Sequence, residues 1–398
     1  MRRYYRGRDP ERVQSVDEMA ALARRILPRF VWEYLAGGAE DEITLRANRQ
    51  VFEHLGLESK TLQPCRPPAV ARRLLGAEAS LPVAIAPSGY NGMLYPQADI
   101  ELARAACSRG IPFTLSTVSN ASLEEVRRVL PELNLWFQLY AMRDQSVQDN
   151  LLARARAVGV NTLLVTSDAL VLGNREWDRR SFSKPRQLSL GSLLNVLCHP
   201  GWIGRVMLPS GLPVMGNLLP YLPERERTAL GSMKFIGEQM DALMDWEKLA
   251  RLRDQWSGRL VLKGVLHPDD AERAVALGLD GLVVSNHGGR QLDGALSSLQ
   301  ALERIVGRVG GRTELLLDSG VRRGADVVKA LSLGASGVLL GRATLYGVTV
   351  KGAEGAGRVL DMVAEELQRC LNLMGCTGVD DLGPEWLIRQ MAGVRTET

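Results

Sequence analysis

Gly281-Leu282-Val283-Val284-Ser285-Asn286-His287-Gly288-Gly289-Arg290-Gln291-Leu292-Asp293-Gly294 passes from a short aliphatic, β-branched run into polar residues and glycines. That is the pattern of a buried strand running out into a loop. The loop opens on His287 and carries Arg290 three residues later. Histidine is the side chain type that titrates near neutrality, and the planar arginine fork suits a carboxylate. A base and an anion clamp therefore stand together at a strand end. In an isolated His-x-x-Arg the same pair would read as a hydrogen-bonded loop histidine and a surface charge.

The unit recurs along the chain. Short apolar runs occupy Leu81 to Ala86, Ile111 to Leu115, Leu135 to Leu139, Thr162 to Val165, Leu260 to Leu262, Gly281 to Val284, Glu314 to Leu317 and Gly337 to Leu340. Helical patterns such as Ala98 to Cys107, Asp144 to Ala157, Pro268 to Leu277 and Gly324 to Leu333 lie between most of them. Eight strands alternating with helices predict an α/β fold, a (β/α)8 TIM barrel, whose active site lies at the C-terminal ends of the strands. A doubly wound sheet is the alternative. Neither Gly-x-Gly-x-x-Gly nor Gly-x-x-x-x-Gly-Lys-Ser/Thr occurs, which removes support for a Rossmann site and for a P-loop.

Polar residues gather just past the runs. Pro87-Ser88-Gly89 follow the first, Ser116-Thr117 the second, Tyr140 the third (which contains Gln138), and Thr166 and Asp168 the fourth. Lys263 follows the fifth, His287 and Arg290 the sixth, Asp318 to Arg322 the seventh, and Gly341-Arg342 the eighth. A base, a carboxylate, a lysine and several arginines delivered to one rim are the parts of an active site. Barrels often bind a phosphate after strands seven and eight, which makes Gly320, Arg322, Gly341 and Arg342 candidates; the plainer reading is a pair of barrel-closing turns. Lys263 is a cation at a strand end, costly to bury unless paired or functional. For Ser116 and Thr166 the plain reading is a hydroxyl satisfying nearby backbone.

The unbroken run Ser285 to Asp293 resembles the active-site signature of the FMN-dependent 2-hydroxy acid dehydrogenases and oxidases. Leu27 to Asp41, containing Tyr34, is similar to that family's N-terminal signature, and the resemblance runs from about Val16 to Met391. It implies a bound FMN and oxidation of an L-2-hydroxy acid to the 2-oxo acid. Pro87, Ser88, Gly89, Ser116, Gln138, Thr166, Lys263 and Ser285 would then meet the flavin, with Lys263 near N1 and O2. Asp318, Gly320, Arg322, Gly341 and Arg342 would hold the phosphate and ribityl chain.

His287 would be the base, the one of four histidines (His54, His199, His267, His287) that follows a barrel strand beside an arginine. An ionised Asp168 would stabilise the imidazolium it becomes. Arg290 and Arg175 would hold the substrate carboxylate, and Tyr140 and Tyr34 would hydrogen-bond the carboxylate or the 2-hydroxyl. Asn174 to Arg180 departs from the common family spelling, although Arg175 stays in register, and Arg179 and Arg180 read as solvent-facing charges. Ser88 to Gly92 and Gly341 to Gly347 stand nearest the mandelate dehydrogenases of the family, while Phe113 to Ser119 equally resembles its L-lactate dehydrogenases. Val118 replaces the tryptophan of glycolate-oxidising members, leaving room for a larger substituent on the 2-carbon.

A chain of 398 residues with 45% hydrophobic residues can bury a large core and is read as a single domain, 1–398, with a basic tail at 1–14. A net charge of +4 on this length is no argument for nucleic acid. The five cysteines form no Cys-x-x-Cys pair, so neither a disulfide framework nor a metal site is expected, and a reducing cytoplasm is the natural home. The basic tail has no apolar stretch behind it, and no run is long and apolar enough to span a bilayer, so the chain reads as neither secreted nor membrane-spanning. From Val16 to Tyr34 apolar residues recur at helical spacing, with Pro28 breaking the segment into two helices.

Between the fourth and fifth runs lies an apolar insertion, 187–223, whose only charged residue is Arg205. A loop this apolar is a lid, a subunit contact, or a segment dipping into a membrane interface. Respiratory dehydrogenases of the family hold to the bacterial inner membrane through an apolar loop here. The resemblance thus implies a peripheral protein on its cytoplasmic side, a quinone or similar electron acceptor, and a homotetramer. An oxygen-using oxidase, a barrel isomerase and a catalytically silent membrane scaffold are the competing functions.

Overall fold

Eight parallel strands close on themselves: β1 (Val83–Ile85), β2 (Phe113–Ser116), β3 (Leu135–Leu139), β4 (Thr162–Thr166), β5 (Arg259–Val265), β6 (Gly281–Val284), β7 (Glu314–Leu317) and β8 (Gly337–Leu340). Each pairs with its neighbours in chain order and β8 returns to β1, giving a (β/α)8 barrel. The computed structural model describes residues 4–7, 9–184 and 187–389; Met391 and residues 1–3 and 8 of the basic tail lie outside the described residues.

Period-two alternation sorts each strand into two faces. Leu163 and Val165, Leu260 and Leu262, Leu282 and Val284, and Leu315 and Leu317 face the surrounding helices, in the large core. Ala84, Trp136, Leu164, Val261, Val283, Leu316 and Leu339 fill the barrel interior. Two residues further along each strand the chain again points inward, at Ala86, Gln138, Thr166, Lys263, Ser285, Asp318 and Gly341. The same parity brings Ser116 in above Thr114. Parity thus carries one strand-end residue from every strand into a single layer at the C-terminal mouth.

The floor of the barrel is closed by a hairpin, Arg72–Leu74 with Ala77–Ala79, whose Leu74 and Leu75 join the interior cluster. Its Leu75-Gly76 turn has φ of 46° and 80°, the left-handed pair of a two-residue hairpin. β6 and β8 begin with Gly281 and Gly337, where a Cβ would come within 2.8 Å of Leu75 and Leu74.

The N-terminal helices Val16–Ile26 and Arg29–Ala36 break at Leu27-Pro28, as the spacing predicts, and helix Ile43–Gln50 follows. Lys263 does not lie past its strand: β5 runs on to Val265, with a register shift between Lys263 and Val265. A polar residue need not end the strand, because its charge is satisfied inside the barrel by Asp318. The insertion is not a plain loop either. It contains helix Leu190–Leu197, short helical turns from Pro200 to Ser210, and a return segment sewn onto the β2 loop. There Asn120 Nδ2 donates to the Val214 carbonyl (2.7 Å), and the buried Asn217 donates to the Ser116 carbonyl (3.1 Å) and accepts from Leu123 N–H (2.9 Å).

Candidate active site

At the barrel mouth the inward layer resolves into two hydrogen-bonded chains. Ser116 Oγ donates to Gln138 Oε1 (2.7 Å), and Gln138 Nε2 to Thr166 Oγ1 (3.0 Å). Lys263 Nζ lies 3.1 Å from Ser285 Oγ and 3.0 Å from Asp318 Oδ2, and Ser285 Oγ donates to that same carboxylate oxygen (2.9 Å). Burial alone would depress Lys263 and raise Asp318. Their mutual attraction outweighs it, so Lys263 sits above its ordinary pKa, with Asp168 adding to the shift, and Asp318 sits below. Both groups are charged, and removing either would leave an uncompensated buried charge, a cost of about 3–5 kcal/mol.

The β6 loop makes an unusual turn. His287, Gly288 and Gly289 have φ of 58°, 69° and 72°, three left-handed residues in succession. A histidine there is strained, and such residues persist where the surroundings over-determine them. Here each amide is held by a side chain: His287 N–H by Ser285 Oγ (3.0 Å), Gly288 N–H by Ser319 Oγ (2.9 Å), Gly289 N–H by Asn286 Oδ1 (3.0 Å). The turn aims the ring at Asp168, whose Oδ1 is 2.9 Å from Nδ1. Burial would raise the Asp168 pKa, but the His287 and Lys263 charges outweigh it and hold it below the ordinary value. An ionised carboxylate only accepts, so Nδ1 carries a proton whatever the charge of the ring, and in the neutral imidazole it is Nε2 that holds the lone pair.

Beside the dyad, Tyr34 lies between two guanidinium groups, Arg290 at 5.1 Å and Arg175 at 5.5 Å from its ring. Its hydroxyl donates to the Gly89 carbonyl (3.1 Å). Burial and then the like charge of Arg175 push the Arg290 pKa down, and no carboxylate among the described residues pairs with Arg290. Arg290 donates to the Tyr34 carbonyl (2.7 Å), while Arg175 holds Asp178 (3.2 Å) and is more open to solvent. Tyr140 is pushed up to about 12 by burial and then by Asp168, so it remains a neutral O–H donor. Arg179 and Arg180 are exposed.

The residues assigned to the phosphate end are differently engaged. Arg342 donates to the carbonyls of Gly288 (2.8 Å), Gly37 (2.8 Å) and Leu35 (3.1 Å). Burial and then Arg290 lower its pKa to about 9, with Arg322 adding to the effect. Arg322 points back to the Val321 carbonyl (2.8 Å). At Gly320 a Cβ would meet the Asn48 carbonyl oxygen at 2.1 Å, so close packing of the N-terminal helix alone demands glycine there. At Gly341 a Cβ would meet only Ala86, at 3.7 Å. Ser88, past β1, accepts from Asn91 (2.9 Å).

Several residues that hold the site carry no sequence signal of their own. Gln291 donates to the carbonyls of Asp168 (2.7 Å) and Val171 (2.8 Å) and accepts from Gly173 N–H (3.1 Å), fixing the loop that bears Asp168 and Arg175. Asn48 and Asn286 exchange two amide hydrogen bonds of 2.8 Å, and Asp293 caps helix Ile43–Gln50 from across the molecule. Only their position inside or opposite the Ser285 to Asp293 run could have pointed to them.

The family model for FMN-dependent dehydrogenase matches residues 23–389. The chain belongs to this family. As an FMN-dependent dehydrogenase it uses FMN, and it is an oxidoreductase of the 2-hydroxy acid class. (S)-Mandelate dehydrogenase of Pseudomonas putida is 40% identical over 374 residues, 94% of this chain and 93% of its own. L-Lactate dehydrogenase of Caulobacter sp. (strain K31) is 41% identical over 371 residues, 93% of this chain and 97% of its own. The crystal structure of monotopic membrane protein (S)-mandelate dehydrogenase superposes with a TM-score of 0.90 at 38% identity, covering 95% of this chain and 100% of that one.

The mouth of the barrel suits FMN. A buried layer of amide, hydroxyl and lysine groups matches a polar heterocycle. The mutually repelling Arg290, Arg322 and Arg342 leave unneutralised positive charge for anionic groups, and Gly341 leaves open space beside it.

Proposed function

We propose that this FMN-dependent dehydrogenase oxidises an L-2-hydroxy acid of the mandelate or lactate kind and passes the electrons to a membrane quinone or similar acceptor. The observation that carries the reading is the His287–Asp168 dyad at 2.9 Å, beside a buried Arg290 that has no carboxylate partner among the described residues and shares Tyr34 with Arg175. In this reading Arg290 and Arg175 hold the substrate carboxylate across Tyr34, and neutral Tyr140 donates a hydrogen bond to the carboxylate or 2-hydroxyl. His287 Nε2 takes a proton from the substrate, and Asp168 stabilises the imidazolium that results. Lys263 would offset negative charge on the bound flavin. FMN, when bound, accepts the electron pair lost by the 2-carbon. Pro87, Ser88, Gly89, Ser116, Gln138, Thr166 and Ser285 would contact its ring, and Asp318, Gly320, Arg322, Gly341 and Arg342 its ribityl phosphate.

The test is the visible spectrum of purified holoenzyme under nitrogen before and after an L-2-hydroxy acid is added. Bleaching of the flavin band is expected. A flavin that every such acid leaves oxidised points instead to a barrel isomerase.

A peripheral membrane contact is part of the proposal, and exposure within the insertion supports it. Helix Leu190–Leu197 turns Leu190, Leu193, Leu194 and Leu197, at i, i+3, i+4 and i+7, outward with exposures from 46% to 81%. Leu208 and Leu212 are exposed as well, whereas Trp202, Val206, Met215, Leu218 and Leu222 are buried. Among the described residues no helix is long and apolar enough to cross a membrane. Because Val214 and Asn217 brace the β2 loop, the informative exchange is of residues 187–212 for a short polar loop. It is expected to move the protein from the membrane fraction to the soluble one, flavin still reducible; wild type that is wholly soluble in gentle lysates would return the segment to a lid or subunit contact.

Gly89 bears on the acceptor. A Cβ at Gly89 would lie 2.5 Å from Val118 Cγ2, so alanine forces Val118 aside and disturbs the space at the flavin face. Wild type is expected to react slowly with oxygen and fast with a quinone or dye, and Gly89→Ala to react faster with oxygen. Stopped-flow mixing of reduced enzyme with oxygenated buffer checks this, and reoxidation of wild type at its turnover rate would make it an oxidase.

A further inference from the structure

The exposed leucine helix runs directly into the wall of a cavity. After Leu197 the chain continues through Cys198, His199 and Trp202, which line a cavity of about 520 Å³ together with Leu22 and Ile26 of the N-terminal helix. Three guanidinium groups line it too: Arg6, Arg25 and Arg205. Among the described residues no carboxylate lines it, and none of the three arginines forms an ion pair. Arg25 donates to the Arg6 backbone carbonyl (3.2 Å), which ties the N-terminal segment to the helix without neutralising either guanidinium.

Arg205 is the one charged residue of the 187–223 segment, and it is not at its tip. It lies half-buried over the Tyr95 ring at 5.1 Å, with a buried Nε that has no acceptor among the described residues. A guanidinium drawn in from water, with a donor unspent, is costly without an anion. His199 Nδ1 lies 2.7 Å from the Asn195 carbonyl, which can only accept, so Nδ1 bears the proton and Nε2 is the remaining polar atom of the ring. The wall is firm: Trp202 Nε1 donates to the Met93 carbonyl (2.8 Å) and its ring packs edge-on against Phe30.

We infer that this cavity is a binding site for the phosphate of an anionic phospholipid headgroup, held by Arg6, Arg25 and Arg205, with the adjoining leucine stripe lying among the acyl chains. An uncharged quinone ring would leave all three cations unneutralised. The inference rests on the membrane-facing reading of the leucine helix, and it adds a specificity that the stripe alone lacks: apolar contact does not discriminate between lipid charges, whereas three arginines around one cavity do.

The test uses full-length FMN holoenzyme. It is floated with phosphatidylcholine vesicles and with vesicles that also contain phosphatidylglycerol, and it is titrated calorimetrically with dihexanoyl-phosphatidylglycerol below its micelle concentration. Phosphatidylglycerol is expected to tighten vesicle binding, and the short-chain lipid to give a saturable heat. Arg25→Gln and Arg205→Gln should each weaken both about five-fold. Arg251→Gln, at an exposed arginine outside the cavity, should change neither. Arg25 is exposed, so its variant decides the matter even if Arg205→Gln fails to fold. Equal binding to both vesicle types with no response to Arg25→Gln overturns the cavity site and leaves the membrane contact standing. Saturable binding of the short-chain lipid by a protein that ignores every vesicle supports the cavity and retires the membrane contact. Inorganic phosphate competing as well as the lipid does would overturn the assignment to a lipid.

Discussion

Replacing His287 with Gln is expected to leave FMN bound and to slow its reduction by an L-2-hydroxy acid roughly 10²- to 10⁴-fold, the usual worth of a general base. The amides of the β6 turn are held by Ser285, Ser319 and Asn286, none of which depends on the imidazole. The turn therefore survives, and so does the Lys263–Asp318 pair beneath it. What is lost is Nε2 as a proton acceptor and the compensation that Asp168 receives. Asp168 is ionised and its Oδ2 is buried without a partner among the described residues, so the variant also pays for an exposed deficit of positive charge there. Anaerobic stopped-flow reduction, with bound flavin quantified in parallel, reads both parts. Near-normal reduction would remove His287 from its role, and loss of flavin would show that the turn depends on the ring.

Replacing Arg290 with Lys should lower kcat/KM by roughly ten- to a hundredfold or more, corresponding to about 1.5–3 kcal/mol for a lost charged hydrogen bond. Lysine keeps the charge but not the planar fork, so it cannot meet a carboxylate with two parallel N–H groups while also holding the Tyr34 carbonyl. Arg175→Lys should cost less, because Arg175 is more open to solvent and already paired with Asp178. Steady-state kinetics of the two variants on one substrate make the comparison. Arg290→Lys within twofold of wild type, or an Arg175→Lys loss larger than that of Arg290→Lys, would displace Arg290 as the principal carboxylate ligand.

The strand count and the barrel were legible in the sequence, because each buried strand of a parallel barrel is a short apolar run and each run ends where the chain meets water at the mouth. For the same reason Ser116, Gln138, Thr166, Lys263, Ser285 and Asp318 could be named before any geometry: polar residues at the end of an apolar run have few other places to go. His287 and Arg290 were legible through the family resemblance of Ser285 to Asp293 rather than through spacing alone, and Asp168 through its place just past the fourth run. The insertion was visible as a shift in composition. Its division was not, since Trp202 and Met215 on the buried side and Leu190 and Leu197 on the exposed side are equally apolar.

By itself the sequence determined the number and order of the strands, the parity that sends one residue of each into the mouth, and the residue types collected there, all of which follow from local periodicity. Only the tertiary structure decided that Lys263 lies within its strand against Asp318, that Gln291 and Asn48 brace the catalytic loop, that Arg342 binds the Leu35, Gly37 and Gly288 carbonyls, and that Arg6, Arg25 and Arg205 share one cavity. Those partners lie from tens to hundreds of residues apart, and a charge or an amide acquires its role from whatever the closed barrel sets opposite it, which no local pattern encodes.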